Sequence, residues 1–336
     1  ASTTFLTIDS GANVAFPSLL TIRDTYTNSG TATTASSVVY TNGTIGSFLA
    51  GASVGGSLTD ASSIAVNSLV RVGTMLYAGK ANSNTACSQT AGSAVGCELM
   101  VFNVSTTTSP LYVAGRDITG NNTGTGNIVV NHLAVSSNSQ TLYMAKAGDA
   151  TACSQTAGSA TGCELMVFDI SSTTNPVYVA GRDVDGTAAG VASINISSLV
   201  ANNSVLYVSK AAAGATACST TASNCEIMVF SISSSTNPTY ITGRDASASA
   251  AGTQTLAVNN LTVNGSLLLA AKAGSATACS QTAGSAVGCE LMVFDISSTT
   301  NPVFMRGVDA SLETSGELSL STTPTVVSTS TIMLGR

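Results

Sequence analysis

The stretch CSQTAGSAVGCELMVFDISSTTNPVF, from Cys279 to Phe304, is spelled almost identically at two other places in the chain. Close copies begin at Cys87 and Cys153, and a shortened copy begins at Cys218. In the copy that follows residue 128, the segments IVVNHLAV, TLYMAK, CELMVFDIS and VYVAGRD are separated by turn residues. We name these segments strands A, B, C and D, because they alternate apolar and polar residues and lack helical periodicity.

The copies follow one another at a nearly constant interval, since their first cysteines are 66, 65 and 61 residues apart. Four-stranded units repeated in tandem are typical of a β-propeller, in which each blade buries its faces against its neighbours. The sequence therefore predicts an all-β fold, a five-bladed β-propeller of four-stranded antiparallel blades. Four blades are predicted at residues 60–117, 128–183, 192–245 and 253–309.

The fifth blade is predicted to come from both termini of the chain. TIMLGR at the C-terminal end aligns with strand B, and ELSLS at 317–321 is interpreted as strand A. TTFLTID and PSLLTIRD, within residues 1–24, align with strands C and D. Residues 1–24 and 316–336 would then share one closing blade, which leaves no sheet edge exposed.

The segment 25–59 interrupts this regular pattern and contains VVYTNGTIGSFLAG from Val38 to Gly51. Two apolar runs flank Asn42-Gly43, which is a strong signal for a β-hairpin. Its predicted apolar face consists of Val38, Val39, Tyr40, Ile45, Phe48 and Leu49. The hairpin is either a surface loop or a contact element for a partner or a neighbouring subunit. The long linker also allows strands C and D to complete the blade of the next molecule, which would produce a polymer.

Eight cysteines form four close pairs, and each pair is predicted to form a local disulfide. The pairs are Cys87 with Cys97, Cys153 with Cys163, Cys218 with Cys225, and Cys279 with Cys289. A zinc site would require shorter spacings and usually histidine partners, and His132 is the chain's single histidine. Disulfides indicate an oxidising compartment, so the protein is expected to be extracellular or at the cell surface.

The segment ELMVFDISSTTNPVYVAGRD resembles the LVIVD repeat, whose motif is an apolar alternation followed by Asp-Ile-Ser and a proline. The copies NVSTTTSP and SISSSTNP lack the aspartate. The resemblance implies a surface or secreted β-propeller and says little about activity.

Charged residues recur once in every blade. A lysine ends strand B and a glutamate begins strand C, which predicts a cross-strand ion pair contributing about 0.2–1 kcal/mol. The pairs are Lys80 with Glu98, Lys146 with Glu164, Lys210 with Glu226, and Lys272 with Glu290. An arginine closes strand D at Arg116, Arg182 and Arg244, and Arg23 occupies the same place in the terminal blade. Repetition favours a structural role, and a ring of positive charge that binds an anion at the propeller axis is the alternative.

Several functional classes are excluded by composition. The net charge of −6 argues against nucleic-acid binding. No apolar run reaches the roughly 18 residues of a membrane-spanning helix. No signal peptide is visible at Ala1, so we expect a mature chain whose targeting segment has been removed.

The predicted inner strands offer little catalytic chemistry. Strand A, expected to line the channel, repeats amides and hydroxyls at Asn67, Asn131, Ser197, Asn259 and Ser321. Apart from Glu317 it has few carboxylates, whereas a propeller glycosidase needs paired acids. His132 occupies a variable, turn-like position and is expected to be exposed. The sequence thus predicts a protein that is not an enzyme, without cofactor or metal.

The predicted function is an extracellular structural or adhesive surface protein. It is expected to associate with itself or with a surface partner, as a filament- or pilus-associated subunit assembled through its terminal strands or hairpin. The alternative is a secreted propeller that binds a glycan or small ligand on one face.

Overall fold

A computed structural model of the chain describes residues 52, 56, 64–81, 85–106, 110–172, 174–190, 192–211, 217–219, 224–234, 236–253, 256–273, 277–298 and 300–309, together with the backbone of 323–328 and 331–335. These residues belong to residues 50–336, the second of two units into which the chain divides. The predicted hairpin at 38–49 and the predicted strands within 1–24 lie outside the described residues.

Four antiparallel sheets of four strands each follow one another along the chain, and in each sheet the strands pair in sequence order. Sheets 1 and 2 consist of β1 (Val66–Val72), β2 (Met75–Lys80), β3 (Leu99–Asn103), β4 (Leu111–Arg116), β5 (Val130–Val135), β6 (Thr141–Lys146), β7 (Leu165–Asp169) and β8 (Val177–Arg182). Sheets 3 and 4 consist of β9 (Ile196–Asn202), β10 (Val205–Lys210), β11 (Ile227–Ser231), β12 (Thr239–Arg244), β13 (Val258–Asn264), β14 (Leu267–Lys272), β15 (Leu291–Asp295) and β16 (Val303–Val308).

Two-residue turns set the register between strands A and B in three sheets. Val72 pairs with Met75, and the corresponding pairs in sheets 3 and 4 also leave two residues between the strands. The first turn residue has positive φ at Gly73 (56°), Asn203 (54°) and Gly265 (59°). Glycine and asparagine tolerate this left-handed conformation, which matches the twist of the flanking strands.

The A strands of successive sheets lie next to one another, in the order β1, β5, β9 and β13. Apolar side chains fill the space between neighbouring sheets, and the tyrosine of strand B is fully buried at each of the three described interfaces. These tyrosines are Tyr77, Tyr143 and Tyr207. The arrangement of sheets around adjacent inner strands is that of a β-propeller.

The cysteine loops between strands B and C contain the four predicted disulfides, which are confirmed. Short 3₁₀ turns precede the second cysteine at Ala94–Gly96, Ala160–Gly162 and Ala286–Gly288. The disulfide packs so closely on strand D that a Cβ atom at Gly181 would lie 2.4 Å from the Cys163 Sγ atom. A glycine is therefore required at this position of strand D.

After the four sheets, β17 (Thr323–Ser328) and β18 (Thr331–Gly335) form a two-stranded sheet, with β17 beside β13. The strand predicted at 317–321 lies outside the described residues, and the strand that pairs with β18 begins later in the chain. TPTVVS is rich in β-branched residues, which favour strands. Among the described residues the series of A strands does not close, so five blades remain a prediction.

Candidate functional site

The repeated lysine and glutamate lie opposite each other where strand B meets strand C. In each sheet the lysine backbone N–H donates to the glutamate carbonyl at 2.9–3.0 Å. The side chains of all eight predicted partners have no solvent exposure: Lys80, Glu98, Lys146, Glu164, Lys210, Glu226, Lys272 and Glu290. The energy expected for an exposed cross-strand pair therefore does not apply, because both charges lie in the interior.

Each lysine head group also holds the loop around it. Lys146 Nζ donates to the carbonyl of Thr161, which lies in the 3₁₀ turn of the cysteine loop. Lys80 and Lys272 make the same contact in their own sheets. In sheet 3, where the cysteine loop is shorter, Lys210 Nζ donates at 3.4 Å to the carbonyl of Val184 in the preceding sheet.

Carboxylates from two sheets surround the buried lysine of sheet 2. Glu164 and Asp183 of its own sheet and Asp117 of sheet 1 attract the Lys146 ammonium. Burial nevertheless lowers the pKa of Lys146 and raises the pKa of Glu164. Burial likewise lowers the pKa of Lys272 to about 8. These clusters connect neighbouring sheets, and removing one member leaves an uncompensated buried charge.

The carboxylate oxygens of the cluster in sheet 2 accept hydrogen bonds from backbone N–H groups. The two oxygens of Glu164 accept from the N–H groups of Asp149 and Val184, both at 3.1 Å. The oxygens of Asp183 accept from Asp185 and Ala192 at 2.8 and 2.9 Å. These carboxylates therefore hold the backbone of the loops around them in place through hydrogen bonds. Within the described ranges, no group of three or more His, Cys, Asp or Glu residues could hold a metal ion.

The arginine that closes strand D reaches across to the next sheet, in a contact that we name the arginine latch. Arg182 Nε donates to the carbonyl of Pro238 at 2.7 Å, and a second guanidinium nitrogen donates to Asn237 Oδ1. The same contacts run from Arg116 to Asn175-Pro176 and from Arg244 to Asn301-Pro302. The latch explains why the repeat carries Asn-Pro before strand D.

The expectation that His132 is an exposed loop residue is wrong, because His132 lies within β5 and bridges two sheets. Its Nδ1 accepts a hydrogen bond from the Leu199 N–H at 3.3 Å. Ser68 and Ser198 Oγ accept the equivalent bond from the following sheet at 3.0 and 3.2 Å. Burial lowers the pKa of His132, and the neutral imidazole is the form that accepts this bond.

The predicted amide and hydroxyl positions of the A strands meet at one open cavity of about 420 Å³. Its lining includes Asn67, Asn131, Asn195, Ser197 and Asn259. Two of these amides are used between sheets, since Asn67 and Asn131 donate to carbonyls of the following A strand at 2.9 and 2.7 Å. The cavity is thus polar and uncharged, and it can offer hydrogen bonds to a neutral ligand. Ser321 lies outside the described residues.

The first A strand differs from the other three in exposure. Leu69 is 59% exposed, whereas its equivalents Leu133, Leu199 and Leu261 are 1–3% exposed. Val66 is 46% exposed, although the equivalent residues of the other sheets are fully buried. We name this surface the leading face of sheet 1, because in sheets 2–4 the same surface packs on the preceding sheet.

Sheet 4 has β17 beside it on its opposite side, which we name the trailing face of sheet 4. Met305 is 55% exposed, whereas the equivalent Val113 and Ile241 pack against the apolar clusters between sheets. Leu269, Leu291 and Val293 form a small buried cluster beneath it. Apolar side chains are therefore exposed on the leading face of sheet 1, whereas on the trailing face of sheet 4 Met305 is exposed next to buried residues.

Comparison with known proteins gives no family. No family model matches the chain, and no curated protein matches it. Membership of the LVIVD-repeat family therefore stays a prediction.

Solved structures do match. A periplasmic gluconolactonase from Pseudomonas aeruginosa matches at 12% identity over 81% of this chain and 57% of that chain, with a TM-score of 0.45. A candidate 6-phosphogluconolactonase from Bacteroides uniformis matches at 12% identity over 81% and 58%, with a TM-score of 0.43. The designed protein Ika8 matches at 12% identity over 81% and 68%, with a TM-score of 0.38. The chain spans less than two thirds of the length of the two bacterial proteins.

The prediction that the chain is not an enzyme is contradicted by these matches and is withdrawn. It rested on the scarcity of carboxylates along the A strands, yet two of the similar structures carry lactonase names. Paired acids serve one mechanism of hydrolysis, and other chemistries do not need them. Identities this low transfer no activity to the present chain.

The disulfides bear on localisation. Four bridges and no free cysteine among the described residues indicate an oxidising, non-cytoplasmic compartment. The described part of the chain contains no helix that is long and apolar enough to cross a membrane.

Proposed function

We propose that the chain is an extracellular structural protein of the cell surface whose copies assemble by completing one another's stack of sheets. In this proposal, residues 1–24 of one copy combine with the C-terminal strands of the next copy to make a fifth blade. That blade covers the leading face of sheet 1 and the trailing face of sheet 4. Head-to-tail contacts of this kind propagate into a filament when they do not close into a ring.

The exposure of Leu69 is the observation that supports this proposal most strongly. Three equivalent leucines are buried against a neighbouring sheet, and burying a leucine stabilises by about 1.5–3 kcal/mol. An apolar surface that is covered at three of four equivalent positions is expected to have a cover at the fourth. The amount of remaining chain, 49 residues before residue 50 and 27 after residue 309, suffices for one more blade.

Electron microscopy and sedimentation of the full-length protein test the proposal. Wild type is expected to form ordered polymers, and Leu69→Asp is expected to abolish them, because a charge is placed on the leading face. Leu111→Asp is the matched control, since Leu111 is also 59% exposed but begins an outer strand. Wild-type protein that stays monodisperse, or polymers that persist with Leu69→Asp, would refute the proposal.

A second candidate function is the binding of a neutral sugar or other small polar ligand. The polar cavity at the A strands favours it, because amide groups recognise hydroxyls without a charge. Glycan-array binding that is lost in Asn259→Leu and kept in Leu111→Asp would support this function. The absence of any array signal would remove it.

A further inference from the structure

A cavity of about 260 Å³ lies beside the D strands at the junction of sheets 3 and 4. Its walls come from the turn after strand D of sheet 3, the cysteine loop of sheet 4 and the start of strand D of sheet 4. Arg244 of the arginine latch forms one wall, and the other walls are largely apolar, among them Ala248 and Phe304. We infer that this cavity binds a small organic carboxylate, with its charge on Arg244 and its apolar body between Ala248 and Phe304. This site does not depend on the proposed assembly.

The turn after strand D has an alanine at this cavity where sheets 1 and 2 have glycine. The N–H group of Ala248 donates to the carbonyl of Asp245 at 2.8 Å, and the two glycines make the same bond in their own turns. All three residues have positive φ, 85° for Gly120, 83° for Gly186 and 70° for Ala248. This left-handed backbone is easy for glycine and strained for alanine, and such strain is concentrated at ligand-binding sites. The strained alanine is therefore one mark of a binding site at this junction.

The methyl group of Ala248 keeps the cavity open. At the junction of sheets 1 and 2 the ring of Tyr178 packs directly on Gly120, where a Cβ atom would lie 2.8 Å from the ring carbon Cγ. Phe304 occupies the same ladder position in sheet 4 as Tyr178 in sheet 2. Because a real Cβ atom does not tolerate so short a distance, the Phe304 ring must lie farther from its turn than the Tyr178 ring does. The cavity lies where this separation is widened.

Arg244 brings a positive charge to the cavity although it is only 8% exposed. Its Nε and Nη2 atoms donate to Pro302 and Asn301, and its Nη1 atom donates to the Gly243 carbonyl at 2.7 Å and to Thr242 Oγ1 at 3.5 Å. These four bonds leave one of the five N–H groups of a guanidinium for a ligand. All four acceptors are neutral, and no carboxylate in the described part of the chain forms an ion pair with Arg244. An anion in the cavity would supply the opposite charge that a buried cation favours.

The chemical class of the ligand follows from these walls. A carboxylate accepts a charge-assisted hydrogen bond from a guanidinium, and a flat apolar body packs well on an aromatic ring such as that of Phe304. An inorganic anion would leave the apolar walls without a contact, and a neutral ligand would leave the charge of Arg244 without a partner. A small aromatic monocarboxylate satisfies both parts of the cavity, and benzoate is the simplest probe of that class.

The experiment compares benzoate with benzamide, which has nearly the same shape and no charge, in NMR titrations of the full-length protein. Wild type is expected to bind benzoate roughly tenfold more tightly than benzamide, the effect of one charge-assisted hydrogen bond. Arg244→Gln should remove this preference. Arg182→Gln is the matched control, because it removes the equivalent latch at the junction of sheets 2 and 3, and it should keep the preference of wild type.

A second variant tests the cavity and leaves the arginine in place. Ala248→Gly removes the backbone strain and lets the Phe304 ring close on the turn, so it should weaken benzoate binding several-fold while the thermal unfolding midpoint does not fall. Equal affinity of wild type for the two probes, or binding of neither, would overturn the inference. A loss of preference in Arg182→Gln as large as in Arg244→Gln, or unchanged benzoate affinity in Ala248→Gly, would also overturn it.

Discussion

Two surfaces are built from the same repeated sequence: the junction between sheets 2 and 3, and the leading face of sheet 1. They differ in the burial, hydrogen bonds and charges that a neighbouring sheet supplies. At the junction, Leu199 is buried, Arg182 is latched and Asp183 contributes to the charge around Lys210. At the leading face the equivalent leucine, Leu69, is largely exposed. The difference shows that burial in this molecule is a property of the junction and not of the repeat alone.

The largest effect is expected from the buried charges. Lys146→Met should destabilise the protein by about 3–5 kcal/mol, because Glu164 and the carboxylates around it lose their cation. Lys80→Met should cost less, since among the described residues Glu98 is the carboxylate that acts on Lys80. Chemical denaturation gives both free energies of unfolding. Equal losses of unfolding free energy in the two variants would contradict the expected difference between an interior sheet and an end sheet.

The leucines give the most closely matched contrast. Leu133→Ala should lower the free energy of unfolding by about 2–5 kcal/mol, because it opens a cavity between sheets 1 and 2. Leu69→Ala in the dissociated monomer should change it by less than about 0.5 kcal/mol, as expected for an exposed site. Urea titration of monomer at low concentration measures both. A loss of several kcal/mol for Leu69→Ala would mean that the chain covers its own leading face.

Removing one disulfide at a time distinguishes the effect of chain entropy on stability from the effect of contacts between sheets. Replacing both Cys153 and Cys163 by serine should lower the free energy of unfolding by roughly 2–3 kcal/mol, because the unfolded chain gains loop entropy. Replacing Cys87 and Cys97 by serine should have the same entropic effect. The loop of sheet 2 additionally binds the preceding sheet, where Gly158 N–H donates to the Thr119 carbonyl at 2.8 Å. The 153–163 variant should therefore melt at a lower temperature than the 87–97 variant. The reverse order would count against the junction contact.

The smallest effect is expected from pH. The pKa of His132 is lower in the folded protein than the ordinary 6.5, so the unfolded chain takes up the proton first as the pH falls. Stability is therefore full above pH 6.5 and declines as the pH drops below that value. His132→Ser, which keeps an acceptor like that of Ser68 and Ser198, should remove this part of the pH dependence. Thermal melts of wild type and His132→Ser between pH 5 and 8 measure this dependence. Identical pH profiles for the two proteins would contradict the assignment of the pH dependence to His132.

Repetition made the sheets and the disulfides predictable, because each recurs in sequence. The burial of the Lys–Glu pairs was not predictable, since it arises from neighbouring sheets that the local sequence does not contain. His132 was assigned wrongly because the ladder between β5 and β6 shifts register between Val130 and His132. The latch was missed, although its signal was present: arginine and Asn-Pro recur at a separation of about one repeat. The strand at 323–328 was not predicted, because polar and apolar residues alternate more regularly in ELSLS at 317–321 than in TPTVVS.

Hydroxyl-radical footprinting of the full-length protein, read by mass spectrometry, tests the central claim most directly. Leu69 should be oxidised in the dissociated monomer and protected in the assembled material. Leu133 should be protected in both states, and Leu111 should be oxidised in both. Protection of Leu69 in the isolated monomer, or equal oxidation of Leu69 in both states, would contradict the claim that another copy covers this face.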